Sequence, residues 1–131
     1  MKTSKFFTLV IKGFLPDTLS TLEFEGFQTT FYKKGEETDF YGIHKIIQKS
    51  TRIVLRSVDQ SDVSVSMFLS DSLRKIIKIK PLLAPLLNGN RAKMELVVYE
   101  KGYANHIQFS KNQIKLLNSI QIPISIVLWE D

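Results

Sequence analysis

Cysteine is absent from the 131 residues, which excludes a disulfide framework, a thiolate nucleophile and a cysteine-based zinc site. A reducing cytoplasm is the compartment this fits. No apolar run approaches the roughly 20 residues that cross a bilayer, so no membrane partner is expected. Met1 to Lys5 followed by Phe6 to Ile11 imitates a signal peptide. Lys12 interrupts it and no small-residue cleavage site follows, so the stretch reads as a strand.

Histidine is scarce, with only His44 and His106. Either suits a general base near neutral pH. A site needs a constellation, however, and neither histidine has one. Asn105 and Glu100 near His106 match no catalytic spacing, and Glu36, Glu37 and Asp39 before His44 match no metal-ligand spacing. Surface or strand-edge histidines are the better reading, with Glu36 and Glu37 as solvated loop carboxylates. A Gly-rich phosphate loop, a nucleophile elbow and a histidine pair on a helix are also missing. The chain therefore offers no catalytic, cofactor or metal residues to assign, and an enzyme is not expected.

One charge sign is missing from a long window. Between Asp71 and Glu95 there is no acidic residue, while Arg74, Lys75, Lys78, Lys80, Arg91 and Lys93 fall inside. Six like charges suit phosphate contacts with steep salt dependence. They equally suit an acidic protein partner, or a solvated helix face whose lysine stems shield apolar surface. Interleaved aromatics and a nucleic-acid motif are both lacking, which favours the solvated face over phosphate contacts. The net charge of +5 and pI near 9.5 point modestly to an acidic partner.

What is present is ordinary for a globular protein: 44% hydrophobic and 24% charged residues, enough for the core of one domain. The first strand spans Lys5 to Phe14. Both its faces are partly apolar, which predicts a central position. Pro16-Asp17 follows, with one or two helical turns over Asp17 to Leu22. Phe24 to Lys33 reads as an aromatic strand and Lys33 to Asp39 as a loop around Gly35. Phe40 to Lys49 fits either period, with strand preferred, and Ile53 to Val58 is extended. A main helix starts at Ser61 or Asp62. Val65, Phe68, Leu69, Leu73, Ile76 and Ile77 form its apolar stripe, and Ser64, Ser66, Ser70 and Asp71 face out. Pro81 stops it near Lys80, a short piece covers Pro81 to Leu87, and Asn88-Gly89-Asn90 closes it.

Lys93 to Tyr99 alternates, with Met94, Leu96 and Val98 on one face. Gly102 marks a hairpin turn, and His106 to Phe109 reads as the returning strand. Ser110 and Gln113 form a capping box for a helix ending at Ile120, with Ile114, Leu116, Leu117 and Ile120 as its stripe. Ile122 to Trp129 is the last strand, its edge hinted at by Pro123. Val127 and Trp129 make its second face apolar, as if another element or a partner covers it. The sum is a single α+β domain: a mainly antiparallel, at most mixed, sheet of about six strands with two main helices, Ser61–Lys80 and Ser110–Ile120, on one face. The aromatics of Phe24 to Tyr41 are core by default. Tyr32, Tyr41 and Tyr103 are also candidate interface anchors, since tyrosine is enriched at such spots.

The strand before Pro16-Asp17, the Lys34-Gly35-Glu36 triplet, the helix after Ser57 to Asp62, and the ending Ile107-Gln108-Phe109-Ser110, helix, Ile122 to Trp129 together resemble a bacterial family known as domain of unknown function 4279. That resemblance implies a domain of this length and carries no functional residue with it. Small bacterial domains of this kind also look like immunity proteins of polymorphic toxin systems, including contact-dependent growth inhibition. This likeness implies a non-enzymatic protein that binds and neutralises a cognate toxin domain. The alternative is a nucleic-acid-binding module using the Arg74 to Lys93 cluster. No cofactor is expected in either case.

Overall fold

Phe7, Leu9 and Ile11 put a large apolar side chain on every second residue, so one face of their strand must be buried. In the computed structural model, which describes residues 4–40, 44–47, 51–59, 63–100 and 108–130, that strand is β1, Ser4–Lys12. Strands β2 (Gln28–Tyr32), β3 (Glu37–Phe40), β4 (His44–Ile47) and β5 (Arg52–Asp59) precede helix α1 (Val65–Leu87). Strand β6 (Arg91–Glu100), helix α2 (Lys111–Ile120) and β7 (Ile124–Glu130) follow. A 3₁₀ turn, Asp17–Thr21, links β1 to β2. Lys33 Nζ donates to its Asp17 carboxylate at 2.9 Å. That hydrogen bond, and then the charge of Asp17, raise the Lys33 pKa above its ordinary value.

The main sheet runs β2-β5-β1-β6-β7, with β3 and β4 as a separate antiparallel pair. β1 is central, as its two apolar faces predict. Every pairing is antiparallel except β6 with β7. This is the α+β class expected, with one parallel pair making the sheet mixed. Phe7, Leu9 and Ile11 are fully buried with Ile53, Leu55, Met94 and Leu96. Phe68, Leu69, Leu73, Ile76, Ile79 and Leu83 of α1 complete this core, and Ile120 of α2 joins it. Truncating any of these leucines to alanine is a loss of about 2–5 kcal/mol.

Helix α1 departs from expectation at both ends. Ser64 is its N-cap, accepting from the Met67 amide at 3.1 Å, so Ser64 ends the preceding coil and the helix starts at Val65, not Ser61 or Asp62. Nor does Pro81 stop it: Pro81 and Pro85 both lie inside one continuous helix to Leu87. Each internal proline costs about 3 kcal/mol. Both are exposed, where the freed carbonyls can meet water, while Ile79, Leu83 and Leu86 are buried on the other side. Burying Leu83 and Leu86, the two that lie past Pro81, contributes about 1.5–3 kcal/mol each, which offsets much of that cost.

Other boundaries shift too. β2 begins at Gln28, after a turn at Gly26, and Phe24 is buried from the loop before it. Residues Glu37 to Asp39, expected in a loop, belong to β3, and His44–Ile47 is strand, as preferred for that stretch. The expected returning strand after Gly102 does not form over its described part, since Gln108 and Phe109 lie outside any strand. β6 already has β1 along one edge and β7 along the other, leaving no edge for it.

In α2 the capping box forms as predicted: the Gln113 amide donates to Ser110 Oγ at 3.1 Å and the Ser110 amide to Gln113 Oε1 at 2.9 Å. The stripe rotates, however. Gln113, Leu116, Leu117 and Ile120 face inward and Ile114 is half exposed. Gln113 tolerates full burial because its Nε2 donates to Ser66 O and contacts Ser66 Oγ and Ser70 Oγ, all at 3.0 Å. The polar serines of α1 are thus seats for α2, where the sequence suggested solvent.

Candidate functional site

Both helices cover the same side of the sheet, and the register fixes what the other side presents. Alternate residues of β1 (Ser4, Phe6, Thr8, Val10, Lys12) stand opposite Val58, Arg56, Val54 and Arg52 of β5. On the other flank they meet Tyr99, Val97, Glu95, Lys93 and Arg91 of β6. β2 adds Tyr32 beside Arg52, Thr30 beside Val54 and Gln28 beside Arg56, and β7 adds Val127 beside Val97. None of these residues is in the buried core; they are half-buried or exposed. Val127, anticipated on a second apolar face of the last strand, stands on this side beside Val97 and is half-buried.

Charge on this face is one-sided. Lys12, Arg52, Arg56, Arg91 and Lys93 stand against Glu95. Lys12, Arg52 and Arg91 form one row with Tyr32, and Lys93 sits in the next row with Val10 and Val54. The Arg52 guanidinium lies over the Tyr32 ring, 4.7 Å from its centroid, and Arg56 lies over Phe6 at 4.7 Å. Each contact is worth about 0.5–1 kcal/mol when exposed, so both arginines are held flat against the sheet. Tyr99 meets Phe6 edge to face, with centroids 5.6 Å apart. Two shallow hollows open here. One of about 430 Å³ is lined by Val10, Lys12, Arg91, Ala92 and Lys93. The other, about 550 Å³, is lined by Ser4, Phe6, Thr8, Val54, Arg56, Val97 and Tyr99.

The cluster read from the sequence does not assemble. Arg74, Lys75, Lys78 and Lys80 ride on α1, on the helical side of the sheet, whereas Arg91 and Lys93 belong to the open face. The α1 cations are also engaged. Arg74 pairs with Asp71 at 3.3 Å and Lys78 with Glu25 at 3.0 Å, and Lys80 donates to the Ser119 carbonyl. Lys75 lays its stem against Gly26, where an added Cβ would stand 3.0 Å from Lys75 Cδ. Of the tyrosine candidates, Tyr32 is half-buried under Arg52. Tyr41, Tyr103 and His106 lie outside the described residues, and of His44 only its place in β4 is described. Among the described residues no three His, Cys, Asp or Glu side chains gather in a metal-holding group, and no helix is long and apolar enough to cross a membrane.

Sequence reasoning missed Lys12, Arg52 and Arg56, and also Phe14, which is 96% exposed. Alternation gave the only signal for the three cations, since each occupies the off-core phase of its strand. Comparison of the chain with protein-family models, with curated proteins and with solved structures found no match.

Proposed function

We propose that the chain is a non-enzymatic binding protein of the immunity type, which neutralises a cognate bacterial toxin domain by direct contact through the open face of its sheet. One observation supports this most: a whole sheet face is left uncovered by both helices, with a basic row at one end and apolar side chains (Val10 and Val54, then Phe6 and Val97) on either side of the Arg56–Thr8–Glu95 row. Exposed apolar area beside charge of one sign suits a protein partner of complementary charge. The hollows on it are shallow, which suits a macromolecular surface better than an enclosed small molecule. The face carries a single carboxylate, Glu95, and no imidazole or thiol among the described positions, so a nucleophile with its base and orienting group is not assembled there.

The alternative, a nucleic-acid-binding module on the Arg74 to Lys93 cluster, has less support, because those six cations are divided between two sides of the sheet. Stacking on bases also needs free aromatic faces, and guanidinium groups already cover those of Tyr32 and Phe6. Co-expression with candidate toxin domains taken from the genes neighbouring this one tests the reading. The expected result is a stable complex on gel filtration and restored growth. Unrelieved toxicity without a complex would refute it.

A further inference from the structure

Phe14 is the most exposed large apolar side chain of the described residues, and its backbone is not loose. Its amide donates to Asn90 Oδ1 at 2.9 Å, and Asn90 Nδ2 in turn donates to the Leu86 carbonyl at the end of α1, at 2.7 Å. The amide of Gly13 donates to the Thr51 carbonyl at 3.2 Å. Three segments thus meet at this corner, and each runs directly into the basic row. Gly13 follows Lys12, Thr51 precedes Arg52, and Asn90 precedes Arg91. Scattered exposed apolar residues are common and need no explanation. An aromatic held out by a hydrogen-bonded frame, beside a row of cations, is a different arrangement, because little conformational freedom is left for binding to remove.

The geometry points to this corner as the anchor of the interface, with an acidic protein segment as its occupant: carboxylates seat on Lys12, Arg52, Arg91 and Lys93, and apolar side chains of the same segment pack against Phe14. Charge complementarity carries the choice of occupant, since one carboxylate opposes five cations on the face. Guanidinium groups match carboxylates in paired hydrogen bonds. The inference rests on the binding reading above and narrows it. A groove built to hold phosphates is itself basic and would repel this face, so the toxin is met at an acidic surface and not at a nucleic-acid groove.

The test uses the full chain, ¹⁵N-labelled, and two probes: a capped peptide of alternating Glu and Val with one central Leu, and an oligothymidylate of equal charge. The peptide is expected to shift the amides of Lys12, Phe14, Arg52, Arg91 and Lys93 in a saturable way, and to bind more tightly than the oligonucleotide. Lys12→Glu with Arg91→Glu should weaken peptide binding by roughly tenfold or more, and Phe14→Ala by several-fold. Lys75→Glu with Lys78→Glu should leave it within about twofold. Amide exchange spectra of every variant confirm the fold. The inference is overturned by tighter oligonucleotide binding, by shifts centred on Arg74 to Lys80, or by no saturable shift at all. No toxin enters this experiment, so those outcomes leave the co-expression result standing, and a failed co-expression leaves these intact.

Discussion

Gly13 and Asn90 should be energetically coupled, and the coupling can be worked from the structure. Gly13 has a φ of 144°, and a Cβ there would stand 2.1 Å from Asn90 Oδ1. Gly13→Ala therefore carries a backbone term of about 1–2 kcal/mol and drives the Asn90 side chain away. That loses the bonds to the Phe14 amide and the Leu86 carbonyl, at about 0.5–1.5 kcal/mol each. The total is roughly 2–5 kcal/mol. Asn90→Ala alone loses the same two bonds, about 1–3 kcal/mol. In the double variant those bonds can be lost only once, and the clash is gone. The two changes together should fall short of their sum by about 1–3 kcal/mol, well beyond the scatter of roughly 0.3–0.5 kcal/mol seen for independent sites. Urea denaturation followed by circular dichroism measures all four corners of the cycle, provided the m-values agree. Strict additivity would refute the account of this corner, and with it the idea that Phe14 is held in place.

Two further substitutions probe the packing beneath the face. Gln113→Met keeps the side-chain length but removes the cap acceptor and the donors to α1, so stability should fall by about 1.5–3 kcal/mol in urea denaturation; a change under about 0.5 kcal/mol contradicts the docking described for α2. Pro85→Ala restores a helical donor at an exposed position and should raise the unfolding free energy measured in urea, by up to about 3 kcal/mol, whereas a drop would mean that proline supports the helix.

Local chemistry was legible in the sequence, and long-range assembly much less so. The Ser110–Gln113 cap, the turn after Pro16 and the alternation of Met94, Leu96 and Val98 all depend on neighbours a few residues apart. The centrality of β1 also showed, because burial on two sides leaves apolar residues in both phases. Pro81 misled because local propensity counts the lost donor and not the buried Leu83 and Leu86 beyond it. Gln113 misled because a polar residue on an inward stripe reads as outward until Ser66 and Ser70 are placed beside it. The basic face was invisible for a topological reason. Lys12, Arg52 and Arg91 are about forty residues apart along the chain, and only the β5-β1-β6 register brings them into one row. The linear window around Arg74 to Lys93 was conspicuous and is split by the fold.

The most direct test of the open face as the working surface is the dissociation constant for the toxin domain that the proposed function requires, measured by calorimetry with two paired charge reversals. The account predicts that Arg56→Glu with Lys93→Glu weakens binding by about a hundredfold, and that Lys75→Glu with Lys78→Glu changes it by less than about threefold. Equal losses from both pairs, or a loss confined to the helix pair, would contradict it.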